Sequence, residues 1–457
     1  MPSAQPSRLG LVWAGVRDSL WFVPSLAVVA GALLSILAVR APTPRMESWL
    51  AWVWLFGGGA EGARGVLAAI AGSLITVTGT IFSVTIVALQ LASSQFTPRL
   101  LRSFVADRVN QAVLGIFIGT FTYTLLVLRT IRSAAMGAEE FVPQVGVSIA
   151  LVLLLVSIGA LIVFINHAAQ SIRASVILHR ETQRTLALVE RLFPERVDRP
   201  DPVQERTSST HASPDGPPRV VAAVEAGYVQ TVHEEALWRI GEKRHADAFT
   251  IRMELQVGSF AFPGKPLASV WPAHAVDDDI SSAIREAFVL GPERTPAQDM
   301  ELGIVELSDI AVKALSPGIN DPTTAMQCID RLTQILGTLG RHRPPAAHRM
   351  SPDGRVHVLV RRTSFERAAG LAFDQIRHYG ADNPAIAKKL LEAIDDLADV
   401  VASDAWPALR AQAEAVARGA RRALGDPADL AAVERLAARV LAPPRPRHEH
   451  GVSGAAS

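Results

Sequence analysis

Apolar residues fill long unbroken runs in the first third of the chain and fall into short periodic segments after it. The runs are 20–39, 66–92, 112–128 and 145–165. A helix that crosses a bilayer needs about 20 such residues, so the pattern predicts four membrane-spanning helices. Arg17 and Arg40 flank the first run, and no charged residue lies between Arg64 and Arg99 around the second. Arg129 and Arg132 close the third. The segment 49–56 holds Trp49, Trp52 and Trp54 but is too short to span. Tryptophan favours the headgroup level, so this piece reads as interfacial or re-entrant.

The second run has an uneven surface. Ser73, Thr76, Thr80, Ser83, Gln90 and Ser94 recur at spacings of three and four, with Val87 in the one gap. That spacing puts them on one helix face. Gly72, Thr76, Gly79 and Ser83 overlap the stripe as a seam of small residues. Two readings are open. Small and hydroxylated residues let membrane helices approach closely, which makes the stripe a packing surface. Polar groups facing lipid are costly, which makes it the lining of a pore or cavity. None of the four runs has an interior Asp, Glu, Lys, Arg or His. Proton-coupled transporters and voltage sensors normally carry such a residue, so a passive channel or a signalling protein is the better expectation.

After the second run, Thr97-Pro98 reads as a helix start. Leu100, Leu101, Phe104 and Val105 with Arg99, Arg102 and Arg108 then make a short basic amphipathic helix at the membrane surface. Orientation follows the arginine bias of the short loops. Arg8, Arg17, Arg99, Arg102, Arg108, Arg173, Arg180 and Arg184 fall on one side, against Arg40, Arg45, Arg64, Arg129 and Arg132 on the other. This places both termini in the cytosol of a bacterial inner membrane.

The helical period continues past the fourth run through His167, Ile172, Val176, Leu186 and Leu192 without a breaker. The Pro-, Ser- and Thr-rich stretch 194–218 then reads as a flexible linker. Segments 220–224, 228–232 and 249–255 look like short strands. The turn around Gly258, Pro263, Gly264 and Lys265 resembles the corner of a small β-barrel of the biotinyl- and lipoyl-carrier type. Lys265 lacks the neighbours of a carrier lysine, so no cofactor is expected on it. Asp277, Asp278 and Asp279 open a helix and favour its positive end. Residues 296–315 form an amphipathic helix, with Met300, Ile304, Leu307, Ile310, Ala311 and Ala314 on one face and Glu301, Glu306, Asp309 and Lys313 on the other.

The joint that follows is Ser316-Pro317-Gly318-Ile319-Asn320-Asp321-Pro322. Gly318 suits a helix end, Asp321 a cap and Pro322 a first helical position. The joint carries more turn chemistry than a plain connection needs. Arg294, Asp299, Ser316, Gly318, Asn320 and Asp321 therefore make a candidate polar site, a ligand pocket or subunit contact, set against the simpler reading of a helix–helix connection. Residues 355–360 read as a further strand, and helices fill 365–379, 384–402, 407–424 and 427–441.

The expected fold is thus an α-helical polytopic membrane domain with four transmembrane helices over 1–170, then a helical extension and linker over 171–217. A small β-barrel-like unit over 218–275, a mainly helical domain over 276–442 and a disordered tail over 443–457 complete an α+β cytosolic region. Composition agrees with this division. The 457 residues are 49% hydrophobic and 19% charged, with a net charge of +1. The neutral balance gives no global field for nucleic acid. Cys328 is the single cysteine, which leaves no disulfide framework and no cysteine-rich metal site. The first apolar run is too long for a signal peptide. No phosphate-binding loop, His-Glu-x-x-His or Gly-x-Ser-x-Gly motif occurs, so no catalytic residue and no metal site is assigned.

Several of these segments occur together, in the same order, in one family. Residues 82–101, Arg294-Thr295, Gln298-Asp299, Ala314 to Ala325 and Phe373-Asp374-Gln375-Ile376-Arg377 resemble the hallmarks of the predicted membrane proteins labelled domain of unknown function 2254. The resemblance spans roughly residues 15 to 440. It implies the architecture and brings no activity, substrate or site residue with it. Three functions stand beside one another. The first is a homo-oligomeric channel or channel-like conduit that passes a small ion or ligand. The second is a membrane-anchored sensor or scaffold, and the third a membrane-bound enzyme.

Overall fold

Apolar length, rather than amphipathicity, sets the first four helices in the computed structural model. They are α1 (Phe22–Arg40), α2 (Ala60–Gln95), α3 (Arg108–Thr130) and α4 (Gln144–Ser171). All four are long and apolar enough to cross a membrane. The structure describes every residue except 1–18, 20, 42–55, 96–106, 134–139, 172, 194, 197–215, 243–248, 344–347, 351–355 and 443–457. Nearly all of the tryptophan-rich segment and of the basic amphipathic helix, most of the linker and the whole tail expected from the sequence lie outside the described residues, and Glu195 and Arg196 of the expected linker form a short strand. The chain divides into two compact units, Met1–Val176 and Ile177–Ser457.

In the first unit α3 is the central helix. It buries Val113, Leu114, Phe117, Tyr123 and Val127. Glycines bring α1 against it. A Cβ on Gly31 would stand 2.5 Å from the Gly119 carbonyl oxygen, and one on Gly119 3.0 Å from that of Ala27. Gly115 meets Val23 and Ala27 in the same way. The seam Ala27/Gly31 on α1 and Gly115/Gly119 on α3 is the small-xxx-small arrangement that lets membrane helices touch along their backbones. Tyr123 donates its hydroxyl to the Gly146 carbonyl at 2.8 Å and so joins α3 to α4.

Helix ends are tied on both sides of this unit. Glu140 accepts from the Ala60 amide at 2.8 Å, capping α2, and Arg64 donates to the Ile131 carbonyl at 3.0 Å. At the other end Asp107 caps α3 through Val109 and pairs with His167 near the end of α4 at 2.8 Å. The apolar run that ends at Ile165 therefore continues as helix far enough to take in His167. The single helix expected through Leu192 is instead two. α4 ends at Ser171 and α5 (Ala174–Leu192) restarts after a short break. No proline or glycine marks the break, and an interruption this short leaves the apolar period intact.

The second unit adds β1 (Glu195–Arg196), β2 (Arg219–Ala222), β3 (Gly227–Val232), α6 (Glu234–Glu242), β4 (Phe249–Met253), β5 (Phe260–Ala261), β6 (Pro266–Trp271), α7 (Asp278–Glu286) and β7 (Phe288–Gly291). Next come α8 (Met300–Ala314), α9 (Pro322–Leu339), β8 (His342–Arg343), β9 (His348–Met350) and β10 (Val356–Leu359). The chain finishes with α10 (Phe365–Tyr379), α11 (Pro384–Val400), α12 (Trp406–Ala423) and α13 (Pro427–Leu441). One sheet has the order β2-β6-β4-β10-β9 and another β5-β3-β7. All neighbours are antiparallel except β4 and β10, which run parallel with Phe249 opposite Val356.

No closed barrel forms among the described residues. β2 and β9 are open edges of the larger sheet, and a barrel has none. The β layer also takes β7, β9 and β10 from the stretch that the sequence reads as mainly helical. Val229, Leu237, Phe249, Ile251, Leu267, Ile284 and Phe288 form its core. In the helical layer α8 and α9 bury Leu307, Ile310, Cys328 and Leu332. Asp277 accepts from the Ile280 amide and Asp321 from the Thr324 amide, so both act as the caps their positions predict.

Candidate functional site

The polar stripe of α2 points away from the packed side of its helix. Ala63, Leu67, Ile70, Leu74 and Ile81 form the buried face. At 100° per residue the stripe lies roughly 140° round the helix from that face. Ser73, Thr76, Thr80, Ser83 and Gln90 are all exposed within the chain. Ser94 lies on the same helix, and its side chain is outside the described residues. A Cβ on Gly72 or Gly79 would meet nothing within 4 Å. The close packing of this unit is made elsewhere, by the glycine seam between α1 and α3.

The hydroxyls are partly satisfied by their own helix. Thr76 donates to the Gly72 carbonyl at 2.9 Å, Thr80 to that of Thr76 at 3.1 Å and Ser73 to that of Ile70 at 2.9 Å. Such back-bonding lets a hydroxyl sit in an apolar setting and leaves its oxygen lone pairs facing outward. Gln90 makes no side-chain hydrogen bond among the described residues, and its amide has donors and an acceptor to place. From Ser73 to Gln90 the stripe rises about 26 Å. That is close to the ~30 Å hydrocarbon thickness of a bilayer.

The candidate polar residues of the second unit fall into two places. Arg294 and Asp299 make a two-pronged ion pair, Nε to Oδ2 at 2.7 Å and a terminal nitrogen to Oδ1 at 2.9 Å. Asp299 also caps α8 through the Leu302 amide at 3.1 Å. Gly258 lies against this pair with φ +85, and a Cβ there would stand 2.5 Å from Asp299 Oδ2. Beside it Glu301 accepts from Arg367 at 2.6 and 2.9 Å, from Thr363 at 2.8 Å and from Gln256 at 2.9 Å. The sequence put Glu301 on the polar face of its helix, yet it is 3% exposed. Arg367 of α10 and the 256–258 turn cover the first turn of α8 and compensate the charge. Burial alone would raise the Glu301 pKa. The hydrogen bonds from Arg367 and Thr363, with the charges of Arg367 and Arg294, outweigh it and hold the carboxyl below its usual range.

Ser316, Gly318, Asn320 and Asp321 sit at the opposite end of α8. Fifteen helical residues separate the two places, about 22 Å at 1.5 Å each, so the structure does not bring them together. The joint is closed by its own backbone, with the Asn320 amide bonded to the Ser316 carbonyl and the Asp321 amide to that of Ala314. Gly318 does not end the helix in a left-handed turn. Asn320 takes that conformation, with φ +48. The Thr324 hydroxyl and amide hold the Asp321 carboxyl below its ordinary range.

A family model described as a predicted membrane protein, DUF2254, matches residues 17–396. The chain belongs to this family. DUF2254 relatives include an uncharacterized protein of Mycobacterium bovis, Mb1321c, and one of Mycobacterium tuberculosis, Rv1290c. Each is 33% identical over 434 residues, covering 93% of this chain and 80% of the relative. No solved structure matches the chain. DUF2254 membership and the four apolar helices make this a membrane protein and carry no activity with them.

The residues that hold each unit together internally were not singled out from the sequence. The spacing of Gly115 and Gly119 is a readable signal for helix contact, overshadowed by the longer small-residue seam on α2. The Glu301–Arg367 pair is separated by 66 positions and has no local signature.

Proposed function

We propose that the chain is one subunit of a homo-oligomeric, channel-like conduit in a bacterial inner membrane. The α2 helices of several copies line a central path, and the second unit of each forms a cytosolic vestibule or gate. One observation carries this reading. The face of α2 that bears hydroxyls and an amide is open within the subunit over nearly the full thickness of a bilayer. A point contact between two helices would need a turn or two of small residues, not a stripe of that length. Lipid is a poor neighbour for Gln90, and a water-filled path shared by several subunits is a good one. The hydroxyl oxygens left free by back-bonding are suitable neighbours for a partly hydrated ion. Closed rotational symmetry presents the same stripe from every subunit to one axis.

The test combines conductance with accessibility. Purified protein in a planar bilayer should pass current, and Thr80→Cys or Ser83→Cys, with Cys328 replaced by alanine, should make that current sensitive to a charged thiol reagent. Gln90→Leu should lower it. Silence under varied ions, pH and tension, with no reagent access to position 80 or 83, would sink the conduit. It would leave a membrane-anchored sensor or scaffold whose stripe only packs copies together.

A further inference from the structure

A loop tip of the second unit carries several exposed apolar side chains. The loop after β2 carries Val224, and the turn from β5 into β6 carries Phe260, Phe262, Pro263 and Lys265. Strand pairing sets these side by side, with Tyr228 opposite Phe260 and the Ala223 amide bonded to the Lys265 carbonyl at 2.9 Å. Val224 is 66%, Phe260 51% and Phe262 49% exposed. Gly264, at φ +89 with open space around it, makes the sharp bend. Lys265 holds its ammonium 5.5 Å from the centre of the Phe262 ring.

We propose that this tip is a bilayer-docking surface that seats Phe260, Phe262 and Val224 at the headgroup level. Area separates lipid from protein as the occupant. A stable protein interface takes about 800 Å² from each partner. A fully buried phenylalanine contributes some 150–250 Å², so two half-exposed rings with Val224 and Pro263 offer roughly half that area. A lipid surface, unlike a protein partner, needs no matching relief. Aromatic rings beside a lysine stem are also the chemistry of the headgroup boundary, the rings buried and the ammonium reaching water or phosphate. The chain is itself anchored by four apolar helices, so a membrane is present at high effective concentration. The exposed Glu225 on the same loop offsets the charge of Lys265. The apolar side chains therefore supply most of the attraction, and anionic lipid adds little.

Full-length protein with Cys328→Ala and a nitroxide label at Phe262→Cys, reconstituted in vesicles of phosphatidylethanolamine and phosphatidylglycerol, tests this. Gly425→Cys, on an exposed turn with nothing within 4 Å, is the aqueous control. The expected result is a label at 262 that collides more with oxygen and less with a water-soluble nickel chelate than the label at 425. Equal, water-like collisions at both positions would overturn the proposal. So would a label at 262 shielded from oxygen and nickel alike, since that marks a protein neighbour or a second copy.

Discussion

Glu301 shows how a single side chain can escape the pattern around it. Its position on the helix period says solvent, and its partners say interior. The partners come from the 256–258 turn and from α10, and neither is within reach of a helical repeat. The consequence for stability has a definite sign. A carboxyl whose folded pKa is depressed stabilises fully above its unfolded value, about 4.3 for glutamate, and loses that contribution as pH falls through the folded value. Acidification below about 4 should therefore loosen the contact among α8, α10 and the 256–258 turn. Glu301→Gln should cost about 1–3 kcal/mol at neutral pH, the range for a buried group stripped of its charged partner. Arg367 is half exposed and can turn to water, which keeps the cost below that of a sealed pair. Hydrogen exchange across residues 300–314 reads both effects. Unchanged protection in the variant from neutral pH to pH 4 would remove the pair from the account of stability.

At the scale of the element, the membrane helices were legible and their contacts were not. Twenty apolar residues announce a span, because nothing else in a bilayer satisfies the backbone. Which face touches which depends on whether a partner helix presents a matching flat surface, and α1 is that partner for α3. The two glycine seams give opposite expectations. Gly31→Ala sets a methyl 2.5 Å from a backbone oxygen, so the helices must separate. Overpacking of this kind costs about 1–3 kcal/mol. Gly72→Ala and Gly79→Ala meet open space and should leave the isolated subunit as stable or slightly more so, alanine being the better helix former by up to ~1 kcal/mol. If copies meet along α2, those same two substitutions weaken assembly. Thermal unfolding in detergent, read beside chemical cross-linking, separates the cases. Equal loss of stability at Gly31 and Gly72 would contradict this division of labour between the seams.

For the whole molecule, the arginine bias remains the argument for orientation, and a single-site experiment decides it. Cysteines introduced at Gly137 and Gly216 lie on opposite sides of the fourth span. Cys328 is buried, and burial with the nearby Asp321 pushes its thiol pKa up, so it stays silent in the folded protein. An impermeant reagent added to intact cells should reach position 137 and spare position 216, and the reverse pattern would place the second unit outside the cytosol. The order of elements in that unit was partly legible, strands by their β-branched residues and helices by their caps. The sheet itself was not, since strand partners are chosen across the sequence by burial rather than by local pattern. The parallel pairing of β4 with β10 is the clearest instance. β10 leaves the ribosome about a hundred residues after β4, a delay of some 5–20 s at ordinary rates of synthesis. Throughout that interval β4 lacks the strand that pairs its parallel edge, and an unpaired edge is the kind of surface that recruits wrong partners. A chain stalled before Val356 would therefore expose that edge, and a chaperone that shields strand edges is the kind of helper this topology would favour.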